Sequence, residues 1–273
     1  MPNKFKAVWV SHSSLGDFKK CPRAYYLRNV YKNSNNRKIS IVSPYLSLGV
    51  AVHDCLEPLA WMPAKNRFDE DLISKFNELI NSFSGKKGGF KDQEQFQSFK
   101  EKGIAMLQNI IKNPGPIAKP AVRMIQDKSE LPWMWLSEEE EIILSGKTDW
   151  LEYNNGNLSV YDFKTGKSVE KDDSLQLPIY SLLVKHYKRY PLTKAFYWYI
   201  AQEANPTEKK LPDYKTAYEL VLKEALKLAE ARKSNNMKCP YSGCRNCDPY
   251  EKILNGEGEK LGVGSYGQEL YYI

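Results

Sequence analysis

Glu140-Glu141-Ile142-Ile143-Leu144-Ser145-Gly146-Lys147-Thr148-Asp149-Trp150-Leu151-Glu152-Tyr153-Asn154-Asn155-Gly156-Asn157-Leu158-Ser159-Val160-Tyr161-Asp162-Phe163-Lys164-Thr165-Gly166 is the stretch that decides the fold. Segments 140–144, 147–153 and 158–165 read as three short strands in a meander, bounded by Ser145-Gly146 and Asn154-Asn155-Gly156. Asn-Gly is the strongest short-range signal for a two-residue type I′ turn, and a turn centred on Asn155-Gly156 sets Asp149 directly opposite Asp162. Opposed residues share a sheet face with Cβ atoms about 4.5–5.5 Å apart, where like charges repel. Lys164 projects from that same face because strand side chains alternate. Slipping the turn by one residue, to Asn154-Asn155, takes the carboxylates out of opposition.

Two carboxylates and an ammonium at the end of a hairpin suit a hard divalent cation, which takes oxygen ligands and leaves room for water and phosphate oxygens. The chemistry that follows is phosphodiester hydrolysis, with Lys164 orienting or deprotonating the nucleophile and offsetting negative charge. The same spacing equally describes a solvated hairpin with an Asp-Asp-Lys cluster on its surface.

Outward from this stretch the pattern is helical on both sides. Ser13 and Ser14 precede Leu15 and Phe18 as a capped helix start, and Pro22 kinks or restarts that helix. Segments 49–61, 69–83 and 93–111 have helical periodicity, with Ser84 to Gly89 as a flexible break and Asn113-Pro114-Gly115-Pro116 as a stop. Beyond the strands, 175–190 is helical, 194–201 is an aromatic-rich strand and 214–233 is a long amphipathic helix. The order is α/β, read as one domain over 1–273 with a helical insertion at about 65–120 and a cysteine appendage at about 237–250.

Composition bounds the answer. The 273 residues, with 42% hydrophobic, 27% charged and 12% aromatic content, describe a folded chain with a sizeable core. Mean hydropathy is −0.58, and no apolar run approaches the roughly 20 residues needed to cross a bilayer. The segment Met1 to Val10 has no long apolar stretch, so the expectation is a cytoplasmic protein. A net charge of +7 favours a polyanionic partner. Of five cysteines, Cys239, Cys244 and Cys247 cluster near the end, which in a reducing compartment reads as a metal site before it reads as disulfides.

Several motifs, in order, resemble the PD-(D/E)XK nuclease superfamily, and within it the RecB-like branch. Gly146-Lys147-Thr148-Asp149 resembles its Gly-x-x-Asp motif, and Tyr161-Asp162-Phe163-Lys164-Thr165-Gly166 its Asp-Tyr-Lys-Thr-Gly motif with Phe for Tyr. Gln176-Leu177-Pro178-Ile179-Tyr180 resembles Gln-x-x-x-Tyr, and Gly49 to His53 resembles Gly-x-x-x-His. Ser13-x-Leu15-x-x-Phe18-x-x-Cys21-Pro22-x-x-Tyr25 resembles the N-terminal helix of the iron-sulfur members. The resemblance implies a restriction-endonuclease-like αβββαβ core, a mixed sheet flanked by helices.

It also implies roles. His53, Asp149, Asp162 and the main-chain carbonyl of Phe163 would hold Mg²⁺ or Mn²⁺, Lys164 would be catalytic, and Gln176 and Tyr180 would position DNA or the catalytic groups. Cys21 would join Cys239, Cys244 and Cys247 around a 4Fe-4S cluster, with Zn²⁺ as the alternative at the same thiols. The family spacing is more often Cys-x2-Cys-x5-Cys, and this chain reverses the long and short gaps.

The implied function is an exonuclease on single-stranded DNA or duplex ends in repair or recombination. Its alternatives are a catalytically inactive nucleic-acid-binding or scaffolding subunit of a helicase-nuclease complex, or a CRISPR spacer-acquisition nuclease. Without a P-loop, any translocation would come from a helicase partner.

Each residue has a plainer reading as well. Gln176 and Tyr180, four apart on one helix face, also suit ordinary helix surface and a core tyrosine. His53 alone is a structural histidine, and Cys55 is a small buried hydrophobe. Glu140 or Glu141 offers a further carboxylate that the motif does not select. Lys19, Lys20, Arg23 and Arg28, and Lys185, Lys188 and Arg189, suit a phosphate track or a solvated face. Phe196 to Tyr199 read as core before base-stacking surface, and Trp133, Met134 and Trp135 as packing between the insertion and the sheet.

Overall fold

In the computed structural model, which describes residues 3–125 and 130–273, Asn155 and Gly156 both take positive φ (45° and 84°), as a type I′ turn requires. The turn joins β5 (Trp150–Asn154) to β6 (Asn157–Lys164), and the ladder pairs Trp150 with Tyr161 and Asn154 with Asn157. This is the register that sets Asp149 against Asp162. Of the segment read as having no leader, Met1 and Pro2 lie outside the described residues.

Strand β6 is buried over both faces, which explains its nearly continuous apolar reading. It pairs in parallel with β7 (Leu192–Tyr199), and α6 (Gln176–Tyr187) makes the crossover that a parallel pair needs. β8 (Thr207–Lys209) completes the order β5-β6-β7-β8. One face of this sheet, with Leu158, Val160, Ala195 and Tyr197, packs on α6 and on α7 (Tyr214–Lys233). The other face, with Trp150, Tyr161, Phe163 and Trp198, packs on α3 (Pro44–Leu56), α4 (Leu72–Asn81) and α5 (Gln93–Lys112).

The expected three-strand meander is corrected. β4 (Ile142–Ser145) is not bonded to β5; it pairs in parallel with β1 (Val8–Val10) and antiparallel with β3 (Trp133–Ser137). A strand has two edges, and both edges of β4 are taken. The ladder runs on through Gly146, whose N–H donates to the carbonyl of Pro132, so the chain leaves for β5 only after Gly146. Trp133 to Trp135 therefore belong to a strand packed beside Trp9 and Tyr187 rather than to a junction with the insertion. A third sheet sets β2 (Ile39–Ile41) beside β10 (Glu269–Tyr272), which pairs with β9 (Glu259–Val263).

At the N-terminus, α1 (His12–Lys20) is capped by Ser11 in a reciprocal box with Ser14, one turn earlier than the expected Ser13-Ser14 cap. Cys21 then breaks the helix in an extended conformation, and α2 (Pro22–Tyr25) starts on Pro22. The short helix α8 (Asp248–Leu254) follows the cysteine cluster. No described helix is long and apolar enough to cross a membrane.

Candidate active site

The end of β6 carries Asp162 and Lys164 on the face toward α6. Asp162 is 2% exposed, and α6 supplies its partners: the Tyr180 hydroxyl donates to Oδ1 at 2.8 Å, and the Gln176 amide donates to the same oxygen. The i, i+4 spacing on α6 aims both side chains at one atom. The Lys164 ammonium lies 2.8 Å from Oδ2, 3.3 Å from Glu170 and 2.5 Å from the Gln176 side-chain oxygen. The ammonium is the one partner of this buried oxygen among the described residues.

Across the hairpin, Asp149 accepts the Phe163 N–H on Oδ2 at 2.7 Å, and its Oδ1 faces His53 Nδ1 at 3.6 Å. His53 comes from α3, and one turn further on Glu57 sits 3.5 Å from the same nitrogen. His53, Glu57 and Asp149 thus present a nitrogen and two carboxylate oxygens within 4.8 Å of one another. Glu57 also pairs with Lys147. A cleft of about 210 Å³ opens here, with Glu57, Lys147 and Asp149 in its wall.

The electrostatics follow from this crowding. Burial and the neighbouring Asp162 carboxylate push Asp149 above the ordinary carboxylate range, against the opposing pull of His53 and the Phe163 N–H. Burial pulls His53 down, but Asp149, Glu57 and Asp162 outweigh it and raise the imidazole to about 9. Burial likewise opposes charge on Lys164, yet Asp162 and Glu170 hold it above its ordinary value. Lys164 is therefore an ammonium at neutral pH. Oxygen and imidazole donors and the crowding of carboxylates fit a hard divalent cation.

The structure therefore divides the expected set. Asp149 and His53 stand together with Glu57, while Asp162 stands with Lys164, Gln176 and Tyr180, joined to the first group through the Asp149–Phe163 contact. Glu57 was not legible as a candidate, although its place four residues after His53 on one helix is the signal that finds it. Glu140 and Glu141 lie away from this site, in the turn before β4, where Glu140 pairs with Lys233. His12 lies 3.3 Å from Ser174 and 3.8 Å from Glu170, on the far side of Lys164.

A second group forms where the chain ends meet. The sulfurs of Cys21, Cys239, Cys244 and Cys247 all lie within 4.8 Å of one another, with Cys244 and Cys247 at 3.6 Å. Hydrogen bonds from the main chain at Asn246 and Cys247 lower the Cys244 thiol to about 6, favouring a thiolate. Arg23 of α2 grips Glu251 of α8 beside this group, with contacts of 2.5 and 3.1 Å. Cys55 is buried and stands apart from it.

Among the other expected surfaces, Lys19 pairs with Asp173 and Arg28 with Asp17. Tyr197, Trp198 and Tyr199 are buried, and Phe196 stacks on Tyr161 with ring centroids 4.6 Å apart, so the strand's aromatics are core.

No curated protein matches the chain. The model of the PD-(D/E)XK nuclease superfamily matches residues 9–251, a span that takes in both the hairpin carboxylates and the cysteine group. A metal-dependent nuclease function and a nucleic acid substrate follow from that match at the level of the superfamily: the chain belongs to the PD-(D/E)XK nuclease superfamily.

Proposed function

We propose that the protein is a Mg²⁺- or Mn²⁺-dependent deoxyribonuclease of the RecB-like branch, an exonuclease that hydrolyses single-stranded DNA or duplex ends in repair or recombination. The observation that carries this reading is the register of the Asn155-Gly156 hairpin, which sets the half-buried Asp149 opposite the buried Asp162, with a lysine 2.8 Å from the latter. Repelling carboxylates in the interior destabilise a fold that has no cation to place between them, and a protein that only binds DNA does not need them.

Asp149, Asp162, His53 and the Phe163 carbonyl would hold the metal, and Glu57 would add a carboxylate from α3. When bound, the metal lowers the pKa of a coordinated water and offsets charge on the phosphate. Gln176 and Tyr180 fix the Asp162 carboxylate by occupying its other oxygen. Lys164, held protonated, places positive charge where the phosphate's negative charge grows. The test is Mn²⁺-dependent degradation of end-labelled single-stranded and duplex DNA by the wild type and Asp162→Asn. Loss in the variant supports the reading, and equal activity in both removes the carboxylates from the mechanism.

The four thiols hold a structural metal centre in this reading, closing the ends of the chain on each other. The four thiols lie close enough to share one centre, and thiolates suit an iron-sulfur cluster or a zinc ion. The 4Fe-4S cluster implied by the resemblance is the first reading and Zn²⁺ the alternative at the same residues.

A further inference from the structure

Helix α3 buries Leu48, Ala51, Val52, Cys55 and Leu56 in the core and leaves its opposite face open. On that face Tyr45, Gly49 and His53 form a row at four-residue spacing that is exposed at Tyr45 and half-buried at Gly49, which lies against Thr165, and at His53, with exposed Leu46 and Val50 beside it and Glu57 continuing it. Tyr45 is 74% exposed, Leu46 51% and Val50 45%. Single exposed apolar residues need no explanation, but these three share the face that ends at His53 and Glu57, so the patch is continuous with the candidate active site. At 1.5 Å per residue, Tyr45 stands about 12 Å from His53 along the helix axis.

The Tyr45 ring is held in place. It meets Phe99 of α5 edge-on, with centroids 5.0 Å apart and planes at 80°. The ammonium of Lys102, also on α5, lies 4.3 Å from the Phe99 centroid. A steadied aromatic ring, an apolar wall and a cation therefore occur together on a surface that leads to the metal-side groups. Unpaired nucleic acid is bound by this combination, its bases stacking on aromatic rings while cations follow the phosphates. Bases within a duplex are already stacked and paired, so the ring is of use only to an unpaired strand. The cation on the adjoining Phe99 ring, and the carboxylate site at the other end of the row, favour a polyanion over an apolar protein partner.

We propose that Tyr45, with Leu46 and Val50 exposed beside it on α3 and Lys102 on the ring of its neighbour Phe99, is a stacking subsite for an unpaired nucleobase of the substrate, about 12 Å from His53 along α3. This rests on the nuclease reading and adds to it a preference for a strand that is single at that distance from the cut.

The test uses the full chain on an Asp162→Asn background, where the proposed chemistry is stopped. Single-stranded oligonucleotides carrying 2-aminopurine at successive positions are bound by this protein and by versions also carrying Tyr45→Ala, Tyr45→Phe or Lys102→Ala. Tyr45→Ala is expected to weaken single-strand binding roughly 5- to 100-fold and to abolish 2-aminopurine quenching at one or two positions. Tyr45→Phe should keep both, Lys102→Ala should lower the salt slope by about one, and a blunt duplex should bind all forms within about twofold. Single-strand affinity and quenching unchanged in Tyr45→Ala would overturn the subsite. So would a self-association, seen by sedimentation, that Tyr45→Ala abolishes, because that puts a second copy on this face. Cleavage is measured separately on the Asp162 wild type: quenching without cleavage under any metal sinks the nuclease reading alone, and cleavage without Tyr45-dependent quenching sinks the subsite alone.

Discussion

The Tyr180 hydroxyl donates to Oδ1 of Asp162 at 2.8 Å, and it reaches that oxygen from the helix that links β6 to β7. Gln176 shares the same oxygen and also touches Lys164, so one helix face holds both members of the carboxylate–lysine pair. Burial and the two aspartates keep the Tyr180 proton on well above its ordinary range, so the hydroxyl remains a donor at every working pH.

Tyr180→Phe keeps the ring and removes one hydrogen bond to a charged group, an interaction worth roughly 1.5–3 kcal/mol. The expected outcome is a fall in kcat of about 10- to 100-fold on single-stranded DNA with KM nearly unchanged. Combined with Gln176→Leu the losses should fall short of additive, because both residues hold one atom. A raised KM at constant kcat would instead make Tyr180 a DNA contact.

Metal binding should be strongly pH-dependent, because ligands must give up protons to bind. His53 is held protonated up to about 9 and Asp149 above the usual carboxylate range, so a bound cation displaces protons from both. Apparent Mn²⁺ affinity should rise from neutral pH to about 9 and then level, by up to roughly tenfold per pH unit for each proton released. For the metal-free protein the sign is opposite: His53, raised from 6.5, contributes stability that is complete below pH 6.5 and lost as pH rises through about 9. Calorimetric titration in buffers of different ionisation enthalpy counts the protons. No proton release, or the same release from His53→Ala, removes His53 from the ligand set.

Local chemistry explains which parts were legible in the sequence. Asn155-Gly156 fits a turn with two positive φ values, and once the turn is fixed the opposition of Asp149 and Asp162 follows. The long helices α5 and α7 were readable from one apolar stripe each. The edges of β4 were not, because β1 is three residues long and far upstream in sequence, and β3, although it immediately precedes β4, alternates burial over only five residues. Glu57 was hidden for a different reason: a glutamate near a helix end is ordinary surface until its partner His53 is itself placed in a site.

The cysteine group gives a compositional prediction. Cys21→Ser removes the member of the group that comes from the N-terminal half, so the variant should lose the metal proposed at these thiols together with thermal stability. A loss of ~2–3 kcal/mol corresponds to a Tm fall of roughly 4–6 °C in a domain this large. A chelator should lower the wild-type Tm by a similar amount and leave Cys21→Ser unchanged, while Cys55→Ser should keep its metal. Metal analysis of the purified protein decides the ion: iron with broad visible absorption is expected for the cluster, and one zinc per chain without iron would put Zn²⁺ at these thiols instead.

Arg67 predicts how the helical half is kept against the sheet. It is 2% exposed, and its guanidinium donates to the carbonyls of Leu59 (2.9 Å) and Met62 (3.2 Å) at one end of the helical segment and to Ile117 (2.6 Å) and Lys119 (2.7 Å) at the other. It also lies 4.9 Å over the ring of Trp150, the residue after Asp149. Burial alone pulls its pKa down, so its charge is met by carbonyl dipoles and an aromatic face. Removing it takes a charged donor from four carbonyls, of which those of Leu59 and Ile117 are bonded in the interior, and Arg67→Ala should cost about 3 kcal/mol. Lysine offers a point charge in place of a planar fork and cannot serve both ends, so Arg67→Lys should recover less than half of that loss. Denaturant unfolding followed by tryptophan fluorescence measures both variants. A loss under about 1 kcal/mol in Arg67→Ala would mean that the apolar contacts of α3, α4 and α5 hold this half without it.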